Sequence, residues 1–61
     1  MANLLREVAY CHNQAQRYYE NGDFVGGAYY EDEIGRMTEA ACKSNLINEA
    51  QRLRLNHYGR L

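Results

Sequence analysis

The 61-residue sequence has no proline and no tryptophan, only two cysteines, and no long apolar run. Each absence excludes something. Without proline no position is barred from a helix interior, and the supply of Ala, Leu, Glu, Gln and Arg favours helix. Two cysteines are too few for a secreted disulfide scaffold. No apolar stretch approaches the roughly 18 residues of a membrane span. The N-terminus also lacks the positive-then-apolar order of a signal peptide, so the cytoplasm is the expected compartment and no membrane partner is expected. Apolar and polar residues do not alternate over any sustained stretch, which leaves all-α as the expected class.

A chain this short keeps much of its surface wet. Area scaling gives roughly 6,000 Å² buried on folding, worth about 90 kcal/mol if about 60% of it is apolar. Ordering the chain costs about 1.5 kcal/mol per residue, nearly the same total. The balance is close to zero, so self-association is expected to supply part of the stability.

What is present is a helical pattern in three parts, treated as one domain over residues 1–61. Asn3 is a good N-cap for a first helix over about 4–21. In it Leu4, Val8, Cys11, Ala15 and Tyr18 recur at spacings of four, three, four and three, a heptad seam. A second helix, about 24–42, has its seam at Gly27, Tyr30, Ile34, Met37 and Ala41. Antiparallel pairing matches Leu4 with Ala41, Val8 with Met37, Cys11 with Ile34, Ala15 with Tyr30 and Tyr18 with Gly27. The fold-back then falls at Asn21-Gly22-Asp23, where Gly22 stops one helix and Asp23 caps the next. Large residues face small ones along this register.

Gly26-Gly27 is the weak point of the second helix, costing roughly 2 kcal/mol of propensity relative to two alanines. Close backbone approach beneath Tyr18 is the favoured explanation, and a loop delaying the helix to about Ala28 is the alternative. Asp32 with Arg36 and Glu39 with Lys43 are expected i,i+4 ion pairs. A third helix is expected over about 45–58, restarting at Ser44 or Asn45, with Leu46, Ala50, Leu53 and His57 as its inward seam. On that phase Ile47, Leu55 and Tyr58 have no place inside. They join Tyr10 and Tyr29, which lie off their own seams, as surplus apolar surface expected at a protein interface.

Residues 15–34, AQRYYENGDFVGGAYYEDEI, resemble one tetratricopeptide hairpin. Ala15, Tyr18, Gly22, Asp23, Phe24 and Gly27 stand where that family places a small residue, a tyrosine, Gly-Asp-aromatic and a second small residue. Ile34 and Glu31 depart from the pattern, and there is no closing proline. The resemblance implies an αα-hairpin that binds protein rather than catalysing a reaction. In size class the chain also resembles small accessory proteins of bacteriophage early regions.

Chemistry-bearing constellations are few. Cys11, His12, Cys42 and His57 are soft ligands, but none are paired at zinc-module spacing. The hairpin register puts Cys42 about 12 Å along the helix from Cys11, too far for a disulfide. No metal, cofactor or catalytic residue is therefore assigned. Glu31-Asp32-Glu33 cannot converge on one atom, since successive helical residues point 100° apart; Glu31 and Asp32 are instead expected at the interface. No lysine follows the glycines at the spacing a phosphate loop needs.

Charge is more informative than its net of −1. Residues 1–19 carry +1, residues 20–39 carry −5 and residues 40–61 carry +3. The sequence thus predicts a non-enzymatic, self-associating helical module that binds or regulates a partner protein through tyrosines and its acidic segment. The alternative is a small nucleic-acid-binding regulator using Arg52, Arg54, His57 and Arg60, with Tyr58 to stack on a base.

Overall fold

A computed structural model describes residues 2–57, and Tyr58 and Arg60, expected at the interface and on nucleic acid, lie outside them. Three helices follow in order: α1 (Ala2–Glu20), α2 (Phe24–Lys43) and α3 (Glu49–Asn56), with no strand among the described residues. The all-α class and the hairpin plus third helix are as the sequence predicts. The body measures 36 × 18 × 17 Å, its long dimension close to that of a 20-residue helix. α1 begins earlier than expected, so Asn3 lies inside it rather than capping it.

The fold-back is a Schellman motif built from the expected residues. Asp23 N donates to Tyr18 O at 2.8 Å and Gly22 N to Tyr19 O at 3.0 Å. Gly22 occupies the left-handed region at φ 80°, which a side chain would resist. Asp23 then caps α2, its Oδ1 accepting from Gly26 N at 3.0 Å.

Gly26 and Gly27 are both inside α2, and the reason they are glycines is steric. A Cβ at Gly26 would stand 2.5 Å from Tyr18 Cδ1, and one at Gly27 would overlap the Tyr19 ring. The expected pairing of Tyr18 with Gly27 is therefore corrected by one position. Tyr18 and Tyr19 straddle the seam, and each covers the glycine on its own side. The close approach inferred from the sequence is present, shared between two rings.

Val8, Cys11, Ile34 and Ala41 form the centre of the hairpin core, with Leu4, Leu5, Tyr30 and Met37 packed around them. Glu39 pairs with Lys43 at 3.3 Å as expected, but Arg36 reaches back to Glu33 at 3.4 Å instead of Asp32. Both are exposed i,i+3 or i,i+4 pairs, of small consequence for stability.

The third helix departs most from expectation. α2 ends in a second Schellman motif, with Leu46 N donating to Ala41 O at 2.9 Å and Asn45 N to Cys42 O at 3.1 Å. Asn45 takes the left-handed conformation, φ 62°, that Gly22 takes at the first turn. The chain cannot start a helix there. It starts after Asn48, in a capping box where Asn48 Oδ1 accepts from Gln51 N and Gln51 Oε1 accepts from Asn48 N, both at 2.9 Å. The delay turns the helix about its axis. Ile47 and Leu55, expected at an interface, are core residues at 4% and 3% exposure. Leu46 and Leu53, expected inside, are 71% and 52% exposed, and Ala50 and His57 are exposed with them.

Candidate interaction surface

α3 covers one flank of the hairpin and leaves the other bare. The covered flank carries Leu5, His12 and Tyr19 of α1 and Glu31, Thr38 and Cys42 of α2. Its closure is polar as well as apolar. His12, buried, places Nε2 3.1 Å from Leu55 O. A carbonyl only accepts, so Nε2 carries the proton and satisfies a carbonyl of the last turn of α3. Thr38, wholly buried, has its Oγ1 2.9 Å from both Ile34 O and Asn56 Oδ1. Its single proton ties α3 to α2 through the Asn56 side chain.

At the other end of α3, Cys42 Sγ lies 3.5 Å from Glu49 Oε1, and Glu49 Oε2 takes both Nε and Nη2 of Arg52, at 3.1 and 2.8 Å. Hydrogen bonds from Arg52 and Cys42 hold the Glu49 carboxyl below its usual pKa. The Cys42 thiol moves the other way, raised by burial and by its bond to Glu49. Thiols held protonated are poor nucleophiles and poor ligands. The described residues contain no group of three or more His, Cys, Asp or Glu able to hold a metal ion.

The bare flank is aromatic. Tyr30 lies half-buried at its centre, stacked on Tyr18 at a centroid distance of 5.7 Å and an interplanar angle of 23°. Tyr10 meets it edge-on at 6.4 Å and 78°, and Tyr29 at 5.2 Å and 86°. Tyr10 and Tyr29 are each more than half exposed. Val25, one turn before Tyr29 on the same face, is more exposed still. Burial raises the Tyr30 phenol above its ordinary pKa, helped by the neighbouring Tyr10, Tyr18 and Tyr29.

The seven residues expected at the interface are therefore dispersed. Tyr10 and Tyr29, from different helices, come together around Tyr30. Asp32 is exposed one turn after Tyr29, while Glu31 is turned to the opposite flank, where its Oε2 accepts from Tyr19 Oη at 2.9 Å. Ile47 and Leu55 are inside. Tyr18 and Tyr30, read from the sequence as seam residues, belong to the exposed cluster. Their signal was legible in Tyr10, Tyr18 and Tyr29-Tyr30, which antiparallel pairing puts within one or two turns of each other.

The basic residues proposed for nucleic acid do not form one face. Arg52 is engaged by Glu49, Arg54 is exposed two residues on and so points well away from it, and His57 is exposed at the end of α3. No helix among the described residues is long and apolar enough to cross a membrane. Compared with family models, characterised proteins and solved structures, the chain has no match.

Proposed function

We propose that this chain is a non-enzymatic helical interaction module that associates with itself and regulates a partner protein docked on its tyrosine flank. One observation carries the reading. Four tyrosines from two helices make a continuous aromatic surface on the flank that α3 does not cover. Tyrosine is enriched at interfaces and among the residues that dominate binding energy, because a large rigid ring costs little entropy to immobilise. The glycine steps beneath Tyr18 and Tyr19 support the same reading, since they fix the hairpin at the height that brings the rings together.

Self-association is assigned to a different surface, the outward stripe of Leu46, Ala50 and Leu53. This stripe has the spacing of a buried helix face and remains exposed in the single chain. Affinity capture from the source cells, comparing the wild type with Y10S/Y29S, tests the docking half: the captured protein should be lost with the tyrosines. Identical captures by the two proteins would sink it. Sedimentation equilibrium tests the other half, with L46S/L53S expected to be monomeric at concentrations where the wild type is not.

A further inference from the structure

We propose that the tyrosine flank receives an arginine-bearing basic segment of its partner protein. The inference rests on the docking reading above and adds the chemistry of what docks. Aromatic rings attract cations through their negative faces, and here the rings stand in two nearly perpendicular orientations about Tyr30, at 78° and 86° to it. A guanidinium can lie flat on one ring while another borders it. Arginine suits this better than lysine because it is planar and weakly hydrated.

Carboxylates border the rings. Glu7 and Glu33 lie close enough to the seam residue Cys11 to raise its pKa, after the larger effect of burial, which places both beside the cluster. Asp32 follows Tyr29 on the same helix face. The cations of this flank are Arg36, already held by Glu33 at 3.4 Å, and Arg17, which lines a recess with Tyr10 and Glu20. Residues 20–39 as a whole carry −5. An approaching basic segment therefore finds complementary charge around an aromatic platform.

A second copy is the poorer occupant. Flank against flank would set Glu7, Asp32 and Glu33 against themselves. The basic α3 of one copy on the tyrosines of the next would form a head-to-tail chain that need not close.

Isothermal titration with three 12-residue peptides tests the proposal. The first carries arginine at every third position among Ser, Gly and Leu. The second replaces arginine with citrulline, a neutral isostere, and the third with lysine. The arginine peptide is expected to bind the full-length chain and to lose at least about tenfold in affinity as the citrulline version. The lysine version should fall between them. A similar loss is expected with Y10S/Y29S, and about threefold with E33Q, while far-UV circular dichroism stays unchanged. Equal, tyrosine-dependent binding of the arginine and citrulline peptides would overturn the basic class while leaving the docking flank standing. No binding of the arginine peptide at millimolar concentration, or binding indifferent to Y10S/Y29S, would overturn the proposal itself. Failure of the capture experiment with the peptide result intact would count against the partner-regulating reading alone.

Discussion

The two flanks of the hairpin are built from the same two helices and closed by opposite means. On one, an eight-residue helix is held by two buried aliphatic side chains and two directional polar contacts, His12 to Leu55 O and Thr38 to Asn56. On the other, rings pack only on rings and much of each stays in solvent. The first flank demands one geometry, because a misplaced buried donor is left unsatisfied at a cost of about 1–3 kcal/mol. The second tolerates small displacements, as aromatic contacts of about 0.5–1.5 kcal/mol do. Stability thus resides on the covered side, and the bare side is free to bind.

Substitutions on the two sides should separate these roles. The largest effect is expected from His12→Ala, which opens a cavity and strips the Leu55 carbonyl of its donor; chemical denaturation should show a loss of about 2–4 kcal/mol. Gly27→Ala comes next. Its gain of about 1 kcal/mol in helix propensity is outweighed by overlap with the Tyr19 ring, for a net loss of about 1–2 kcal/mol. Asn48→Ala removes the capping box and should cost about 1 kcal/mol, seen first as faster hydrogen exchange in α3. At the bottom of the scale, Tyr10→Ser should alter stability by less than about 0.5 kcal/mol. A Tyr10→Ser loss as large as that of His12→Ala would erase the distinction between the flanks.

Acid and alkali sharpen the same contrast. Glu49, on the α3 side, has a lowered pKa, so its contribution is present above the ordinary carboxylate value and is lost as pH falls through the folded value. Cys11 and Tyr30, in the seam and the aromatic cluster, have raised values. Their contribution is full below the unfolded values and is lost as pH rises through the folded ones, above the ordinary 9.0 and 10.0. Acid should therefore loosen α3 first and alkali the aromatic flank. Denaturation midpoints of Glu49→Gln and Cys11→Ala, followed at low and high pH, check each arm: each variant should flatten only its own limb.

The hairpin was legible because its signals are redundant. The seam spacing, Gly22 as a left-handed stop and Asp23 as a cap all place the same fold-back, and two glycines mark the close approach. The phase of α3 depended on weaker signals. Asn45 reads as a helix start when its neighbour Leu46 is taken for a seam residue, but its left-handed φ makes it a stop. Asn48-x-x-Gln51 was the better start signal and lies only three residues further on. That shift exchanges Ile47 and Leu55 for Leu46 and Leu53 as the buried pair. Thr38 was invisible as a core residue because a hydroxyl is buried only where a partner exists, and its partner Asn56 lies on a helix whose phase was wrong. Of the candidate site, Tyr10 and Tyr29 were found from their exposure; Tyr30, which joins them, was hidden by its place in the seam.

Because the chain has no tryptophan, four of its six tyrosines share one cluster with centroid separations of 5.2 to 6.4 Å. Phenol chromophores that close couple to one another, so the near-ultraviolet spectrum of the whole protein is dominated by one patch of its surface. Anything that settles on that patch, or pries it apart, will announce itself optically without a label.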